Sequence, residues 1–387
     1  MRHSSENTLS LGQHMVKNSR LFNRGRDLLA QADIQLNGDR PWDMQLRAPG
    51  VLEKAVTLGN LGLGEAYMHG HWDCQALDQF FYRILRHDID NQVGGPMIWL
   101  HDLRARLLNL QTIKRAWHVG EAHYDLGNEF YRSMLDSRMA YTCGYWEQAD
   151  NLEDAQLAKL EMICQKLRLE PGMKVLDIGC GWGSFMSYAA THYEVECVGV
   201  TISREQAAWA ADHYHGLPLT FRLQDYRQTQ GQFDRIVSIG MFEHVGHKNY
   251  RHYIQVASRC LKHNGLMLLH TIGKNQRHTP TDPWIDKYIF PNGELPALSQ
   301  ISDALEGLFV LEDLHNFGAD YDKTLMAWHR NFEASWPQFR HTLGEKFYRM
   351  WRYYLLSCAG AFRARDIQLW QLVFSKKGIP GGYRRPC

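Results

Sequence analysis

The folds open to this chain are limited above all by residues 175–183, VLDIGCGWG, in which a short apolar run leads straight into a glycine-rich turn. The glycines allow the backbone to turn sharply and to approach a ligand without a Cβ in the way. A helix after such a turn directs free N–H groups at the ligand. The segment predicts a nucleotide-type site, although the turn alone is also compatible with a structural role. A nicotinamide fingerprint starting at Gly179 needs a third glycine at position 184, which is Ser184, so that cofactor is disfavoured.

Strands and helices alternate around this turn. A helix is predicted over residues 152–168. Apolar runs predict five strands, at 173–178, 195–200, 219–223, 234–239 and 265–271. This alternation indicates an α/β fold with a doubly wound, Rossmann-like parallel sheet, in which ligands bind beyond the carboxyl ends of the strands.

The length of 387 residues favours two domains. Residues 1–120 have a mostly helical pattern without a nucleotide motif, and we predict a smaller accessory domain there, for docking or dimerisation, with residues 121–387 as the main domain. No apolar h-region or stretch near 18 apolar residues is present, so we expect a cytoplasmic protein without a transmembrane helix. The eight cysteines form no Cys-x-x-Cys pair, which indicates reduced thiols.

The C-terminal basic region, residues 334–387, contains ten Lys or Arg against Glu345 and Asp366. It is also rich in Trp, Tyr and Phe. This mixture suits anionic lipid headgroups or nucleic acid. A packed helix pair with a solvated face explains the same pattern equally well.

Polar residues follow the second and third predicted strands. Thr201 ends the second strand, where an acidic residue usually holds a ribose hydroxyl. Ser203 and Gln206 match a helix-capping box, so capping explains them as well as ligand binding does. Asp225 and Tyr226 follow the third strand, and a carboxylate with an aromatic ring suits the amino group and face of an adenine.

Glu243 follows the fourth strand, and His270 is predicted to end the fifth. An imidazole at the end of an apolar strand is either a satisfied core group or part of a site. Because these strands are neighbours in the predicted sheet, we favour one site that contains both side chains. His244 and His247 have a metal-binding spacing, but the sequence offers no third ligand, so no metal is predicted.

From about residue 62 almost to its end the chain matches a known family, and the match is carried by seven motifs between residues 141 and 321. They are YTCGYW (141–146), VLDIGCGWG (175–183), GVTIS (199–203), RIVSIGMFEHVG (235–246), HTIG (270–273), YIFPNG (288–293) and NFGADY (316–321). Together they resemble the cyclopropane-fatty-acyl-phospholipid synthases, a family of S-adenosylmethionine-dependent enzymes with a methyltransferase sheet.

The resemblance implies methyl transfer from S-adenosylmethionine to the cis double bond of an unsaturated phospholipid acyl chain, with closure of a cyclopropane ring. It also implies a bound bicarbonate that takes a proton from the carbocation. The residues that it assigns to this chemistry are Cys143, Glu243, His270, the backbone of Ile272 and the hydroxyl of Tyr321. Cys358 matches a cysteine of the family and is a further candidate, although methyl transfer to an alkene needs no thiolate.

The resemblance also implies a cofactor site and partners. The residues assigned to S-adenosylmethionine are Tyr141, Thr142, Gly179, Cys180, Gly181, Trp182, Gly183, Thr201, Gln206, Asp225 and Tyr226. Because the double bond lies inside a bilayer, we expect peripheral association with the inner face of the membrane, and docking by the C-terminal basic region is a hypothesis. Family analogy suggests a homodimer, and no nucleic-acid partner is expected.

Two other functions remain open at this point. A methyltransferase for a small molecule or RNA would have the same sheet, but the Asn-Pro-Pro-Tyr or Asp-Pro-Pro-Tyr motif of amino-group methyltransferases is missing where Glu243 stands. A non-catalytic lipid-binding protein would not need to retain Cys143, Glu243, His270 and Tyr321 in these motifs.

Overall fold

The structure is a computed structural model that describes residues 19–93, 127–277 and 281–386. The chain divides into two compact units. The first consists of Met1–Arg106, Asp282–Ile289 and Gln338–Asp366, and the second of Leu107–Thr281, Phe290–Pro337 and Ile367–Cys387. The domain boundary predicted at residue 120 lies outside the described residues.

The described helices are α1 (Arg20–Gln31), α2 (Val51–Leu58), α3 (Asn60–Met68), α4 (Leu77–Arg86), α5 (Asn128–Met134), α6 (Leu152–Lys166), α7 (Ser184–Tyr193), α8 (Arg204–His213), α9 (Tyr250–Cys260), α10 (Pro283–Tyr288), α11 (Leu298–Leu305) and α12 (Ala319–Ala364). Side-chain oxygens of Ser19, Asn151 and Asp282 accept hydrogen bonds from first-turn N–H groups and fix the starts of α1, α6 and α10. α12 is two helices joined at Gly344, whose φ is 74°. None of the helices described is long and apolar enough to cross a membrane.

The described strands are β1 (Gln45–Leu46), β2 (Trp72–Asp73), β3 (Lys174–Ile178), β4 (Glu196–Thr201), β5 (Leu219–Leu223), β6 (Phe233–Ile239), β7 (Leu261–Lys274), β8 (Val310–Asn316) and β9 (Ile367–Ser375). β1 and β2 pair with each other in the first unit. The other seven form one sheet in the order β5-β4-β3-β6-β7-β9-β8. β3 to β7 are parallel, whereas β9 is antiparallel to both of its neighbours.

Helices cover both faces of this sheet, which confirms the predicted α/β, doubly wound fold. On one face, Ile254 of α9 and Ile301 of α11 share a buried cluster with Leu176 of β3. On the other, Leu160 of α6 shares a buried cluster with Val175 of the same strand. Full burial of each such side chain contributes roughly 1.5–3 kcal/mol. The five predicted strands are present, and β8 and β9 are additions that the sequence analysis did not predict.

The expectation that the fifth strand ends at His270 is wrong. β6 stops at Ile239, which pairs with His270, but β9 continues to pair with β7 as far as Lys274. Antiparallel pairing therefore extends β7 beyond its parallel neighbour. His270 and Ile272 lie inside this strand, two residues apart and so on the same side of the sheet.

In the first unit, aromatic side chains form much of the core. The ring of Tyr67 packs against those of Trp72 and Tyr353, at centroid distances of 5.1 and 5.5 Å. The guanidinium of Arg349 lies 4.0 Å from the centre of the Tyr67 ring and pairs with Asp73 at 2.9 Å. Part of the C-terminal basic region is therefore used inside the fold.

Candidate active site

The glycine-rich turn follows β3 directly. Gly179, Gly181 and Gly183 have φ angles of 88°, 54° and 83°, in the left-handed region that favours glycine. A Cβ on Gly179 would lie 2.6 Å from the side chain of Met241, whereas one on Gly181 would meet no atom within 4 Å. Gly183 is the N-cap of α7. The turn is thus open at Gly181, next to the amino end of a helix, where an anionic or polar ligand is favoured.

Cys180 and Trp182 alternate with these glycines, and their side chains are buried. The Cys180 sulfur lies so close to Gly199 of β4 that a Cβ there would be 2.7 Å from it. Trp182 Nε1 donates to Asn128 Oδ1 at 2.9 Å, and its ring lies 5.1 Å from that of Tyr131. Both side chains anchor the turn, so their backbone groups are the part that a cofactor would contact.

Thr201 is the last residue of β4, and Ser203 caps α8. The N–H of Ser203 donates to Thr201 Oγ1 at 3.1 Å, and that of Gln206 donates to Ser203 Oγ at 3.3 Å. Thr201 Oγ1 in turn donates to Gln206 Oε1 at 3.4 Å. The capping interpretation is therefore confirmed for Ser203, and Thr201 and Gln206 are held side by side at the strand end.

Asp225 and Tyr226 follow β5 and are both buried. The two carboxylate oxygens of Asp225 accept from the backbone N–H and the guanidinium of Arg227, at 2.9 and 2.8 Å. The same guanidinium lies 4.8 Å from the centre of the Tyr226 ring. Arg227 thus fixes both candidate residues, and the sequence analysis had not singled it out.

The turn that carries Cys143 is held from the side of α12. The hydroxyl of Thr324 accepts from the N–H of Gly144 at 3.1 Å and from Trp146 Nε1 at 2.8 Å. A carboxylate oxygen of Asp320 accepts from the N–H of Trp146 at 2.8 Å. Burial raises the pKa of Cys143 well above its usual range, so the side chain is a neutral thiol.

The same turn is held from the other side by α6. Gln156 Nε2 donates to the carbonyl oxygen of Thr142 at 2.7 Å, and Lys159 Nζ donates to its hydroxyl at 3.0 Å. The ring of Tyr141 packs against Trp328 and Tyr131, at 5.1 and 5.4 Å. Tyr141 and Thr142 are therefore fixed by buried side chains of α5, α6 and α12.

Glu243 lies in a short 3₁₀ turn, Phe242–His244, just after β6. Its Oε1 accepts from the N–H of Ile272 at 2.6 Å, in the part of β7 that β6 does not reach. Among the residues described, Oε2 has no hydrogen-bond partner although it is buried. Burial raises the pKa of Glu243 to about 7, so this carboxyl readily holds or releases a proton near neutrality.

His270 is the second buried group with an unsatisfied atom. Its Nδ1 lies 3.2 Å from Gln371 Nε2, and its Nε2 has no partner within the described part of the chain. Burial, with the charges of Lys159 and Lys166, holds the pKa of His270 well below its usual range. The imidazole is therefore neutral.

Gly240, between β6 and Glu243, lies close to both His270 and the Cys143 turn. Its N–H donates to the carbonyl oxygen of His270 at 2.9 Å, and a Cβ on it would lie 2.8 Å from Thr142. The next residue, Met241, touches Gly179 of the glycine-rich turn. The Cys143 turn, Glu243, His270 and the glycine-rich turn are thus gathered at one edge of the sheet. Tyr321 is linked to them less directly, because its ring lies 6.0 Å from that of Trp328.

Several buried ionisable residues of the second unit were not predicted from the sequence, among them Asp177, Lys159 and Lys166. Asp177 lies in β3, its Oδ1 has no hydrogen-bond partner among the residues that the structure describes, and burial raises its pKa to about 7. Lys159 and Lys166, seven residues apart on α6, are also buried, and burial lowers their pKa values to about 8 and about 7. A carboxylate inside an apolar strand was the available signal for Asp177, whereas lysines on a helix are normally taken as solvated.

Cys358 belongs to the first unit, whereas the other candidate catalytic residues belong to the second. Burial raises the pKa of its thiol to about 12, which is unfavourable for a nucleophile. Its catalytic role stays a prediction.

The two histidines with metal-binding spacing have other surroundings. His247 Nδ1 pairs with the carboxylate of Glu294 at 2.9 Å, and the ring of His244 lies 6.1 Å from that of Phe290. Over residues 19–93, 127–277 and 281–386, no group of three His, Cys, Asp or Glu side chains could hold a metal ion.

Comparison with solved structures defines the class. The chain is similar to the cyclopropane synthase MmaA2 from Mycobacterium tuberculosis, with 33% identity and a TM-score of 0.64 over 67% of this chain and 98% of that one. It is also similar to mycolic acid cyclopropane synthase CmaA1 in complex with SAH and CTAB, with 34% identity and a TM-score of 0.63 over 67% and 98%. The chain is thus an enzyme with the S-adenosylmethionine-dependent methyltransferase fold.

Sequence comparison gives the family. The family model for mycolic acid cyclopropane synthetase matches residues 111–372. The chain is 54% identical over 372 residues to the cyclopropane-fatty-acyl-phospholipid synthase of Escherichia coli (strain K12), across 95% of this chain and 97% of that protein. The chain belongs to the mycolic acid cyclopropane synthetase family, which confirms the resemblance noted in its motifs.

Proposed function

We propose that this enzyme transfers a methylene group from S-adenosylmethionine to the cis double bond of an unsaturated phospholipid acyl chain and forms a cyclopropane ring. The observation that carries the proposal is the pair of buried, unsatisfied atoms, Glu243 Oε2 and His270 Nε2, gathered beside the glycine-rich turn. Identity of 54% with the Escherichia coli synthase, over nearly the whole length of both chains, supports the same substrate class.

The glycine-rich turn fits S-adenosylmethionine. It is open at Gly181; Thr201 ends the neighbouring strand β4, Gln206 lies in the helix that follows it, and Asp225 lies just after β5. S-adenosylmethionine supplies the electrophilic methyl group when bound. The residues of the turn would position it, and the buried surroundings of Tyr141 would exclude water from a reaction in which the alkene is a weak nucleophile.

Glu243, His270 and the Cys143 turn, at one edge of the sheet, fit a small anion that also carries a hydrogen-bond donor. Bicarbonate has this chemistry. Bicarbonate would supply a base for the proton that the new ring must lose. We propose that Cys143, Glu243, His270 and Tyr321 hold it, while the N–H of Ile272 acts by fixing the Glu243 carboxyl. A carboxyl whose pKa is about 7 would accept the hydrogen of the bicarbonate and limit repulsion between two anions.

The two buried lysines of α6 make the site favourable for an anion. Burial lowers the pKa of His270, and the positive charges of Lys159 and Lys166 add to that lowering. A neutral imidazole and nearby cations together stabilise a bound anion without adding a competing proton.

The test is incubation with labelled S-adenosylmethionine and vesicles of unsaturated phospholipid, followed by mass analysis of the acyl chains. A gain of one CH2 with loss of the double bond is expected.

Glu243→Gln should abolish most of this gain, because the amide keeps the hydrogen bond to Ile272 but loses the acceptor at Oε2. Glu161→Gln, in the same unit but bound to Tyr188 and Tyr193, is the control and should leave the product unchanged. Label transfer to RNA or to a small molecule, with none in lipid, would reverse the proposal.

We propose in addition that the enzyme docks on the inner face of the membrane as a homodimer, and that part of the C-terminal basic region makes the contact. Arg385 is already paired with Asp313 at 2.6 Å, so docking would rest on exposed cations such as Lys377 and Arg384. Lys377→Glu with Arg384→Glu should weaken sedimentation with anionic vesicles, whereas Lys174→Glu, at the start of β3, should not. Equal vesicle binding by the wild type, the double variant and Lys174→Glu would exclude this surface as the docking site. The proposed dimer is tested separately, by light scattering of the purified protein.

A further inference from the structure

Three buried side chains from separate elements of the second unit form a continuous chain of contacts. Lys166 Nζ of α6 lies 2.8 Å from Gln371 Oε1 of β9, and Gln371 Nε2 lies 3.2 Å from His270 Nδ1 of β7. Gln371 has no exposed surface and stands directly opposite His270 in the antiparallel pairing of β7 and β9. The contacts therefore join the interior of α6 to the imidazole of the proposed site.

The direction of these hydrogen bonds follows from the chemistry of the donors. The ammonium of Lys166 has three hydrogens and no lone pair and can only donate, so the atom of Gln371 that faces it is the carbonyl oxygen. The amide NH2 then faces His270 and donates to Nδ1. A neutral imidazole has one N–H, so a ring that accepts at Nδ1 carries its hydrogen on Nε2.

We infer that Gln371 is a positioning residue that holds His270 in the tautomer with hydrogen on Nε2, and that Lys166 fixes the orientation of the Gln371 amide. The inference deepens the proposed function, because it rests on His270 facing an anion. Nε2 is the buried atom that has no partner in the described part of the chain. In this tautomer it is a donor for the anion, whereas the other tautomer would direct a lone pair at it.

His315 and Asp313 complete the surroundings of Lys166. Lys166 Nζ lies 3.0 Å from His315 Nδ1 and 3.9 Å from an oxygen of Asp313. Burial, together with the charge of Lys166, lowers the pKa of His315 to about 4, so this imidazole is neutral, and its Nδ1 accepts because the Lys166 ammonium can only donate. Each neighbour of Lys166 is thus an acceptor, which leaves the direction of its bond to Gln371 unchanged.

A buried glutamine with only a structural role would affect stability and nothing else. The variant that separates the two roles is Gln371→Glu, because its carboxylate accepts from Lys166 and also from Nδ1–H of His270. With histidine labelled by ¹⁵N, and the His270 signal assigned by its loss in His270→Gln, the wild-type protein should show hydrogen on Nε2. Gln371→Glu should move the hydrogen to Nδ1 and raise the KM for bicarbonate at least tenfold.

Lys166→Met is the second variant, and it removes the donor that orients the amide without changing Gln371. It should give a mixture of the two tautomers of His270. Gln368→Met is the matched control, since Gln368 is another buried glutamine of β9 and accepts from Asn316. This control should keep the hydrogen on Nε2.

The NMR result decides the inference and the kinetic result decides the proposed function. Hydrogen that stays on Nε2 in both Gln371→Glu and Lys166→Met would overturn the positioning role, even if activity falls. A tautomer that changes while the bicarbonate dependence stays the same would support the positioning role and overturn the proposed bicarbonate site.

Discussion

Replacement of Glu243 by glutamine is expected to stabilise the folded protein by an amount that grows with pH. The carboxyl is buried, and its pKa is about 7 in the folded protein against an ordinary value of 4.5. Below pH 4.5 it is protonated in the folded and unfolded chains alike, so the substitution then has little effect through charge. Between pH 4.5 and about 7 the carboxyl ionises in the unfolded chain but stays protonated in the folded protein, so the folded state loses stability until the pH passes 7. Glutamine never ionises and avoids that loss.

The size of the effect follows from the two pKa values. Each pKa unit corresponds to about 1.4 kcal/mol, so a difference between 4.5 and about 7 amounts to about 3 kcal/mol once the pH exceeds 7. For a domain of this size, 1 kcal/mol moves the melting temperature by roughly 2 °C. We therefore expect Glu243→Gln to melt about 6 °C above the wild-type protein at pH 8.

The assay is thermal unfolding of both proteins, followed by tryptophan fluorescence, between pH 4.5 and pH 8. Glu161→Gln is a control of opposite sign. Burial raises the pKa of Glu161, but hydrogen bonds from Tyr193 and Tyr188 outweigh it, and the net pKa is lowered. That variant should lose stability relative to wild type as the pH rises. A Glu243→Gln protein that is no more stable at pH 8 than at pH 4.5, relative to wild type, would refute the reasoning.

Two further substitutions test the supports of the site. Thr324→Val removes the acceptor of two buried donors and should lower the free energy of unfolding in urea by about 2–5 kcal/mol. Thr324→Ser keeps the hydroxyl and should lower it by only about 1 kcal/mol. Equal losses of unfolding free energy in the two variants would contradict this role of the hydroxyl. Gly240→Ala combines a φ of 69° with a Cβ 2.8 Å from Thr142, so it should lower activity more than tenfold as well as stability. Gly50→Ala, at a left-handed φ of 80° and ψ of 2° with open space around the added Cβ, should cost only about 1 kcal/mol and leave activity unchanged.

The sequence was sufficient to predict the features that depend on local pattern. Apolar runs and glycines identified β3 and the turn at Gly179, because a buried strand and a positive φ leave clear compositional signals. The neighbouring strands then brought Glu243 and His270 together, as parallel topology requires. The chemistry assigned to these residues came from the family resemblance, and bicarbonate had no signal in composition or spacing.

The features that were missed depend on contacts between distant segments. β9 inserts between β7 and β8, and nothing in the run around Gln371 shows that its partner is His270, about a hundred residues earlier. Lys159 and Lys166 look like solvated residues of an amphipathic helix, because their acceptors lie on other elements. Sequence pattern indicates which residues prefer burial. Whether a lysine is buried depends instead on the hydrogen-bond acceptors that other elements of the fold supply.

The position of β9 between β7 and β8 affects the order in which the enzyme folds during synthesis on the ribosome. At synthesis rates of about 5–20 residues per second, Gln371 is added about 5–20 s after His270. During that interval β7 lacks its antiparallel neighbour, and β8 has no strand with which to pair. The nascent chain can already form the parallel strands and the cofactor turn, but His270 has no partner at Nδ1. On the proposed function, the nascent enzyme would therefore form its cofactor turn before its proposed anion site is complete.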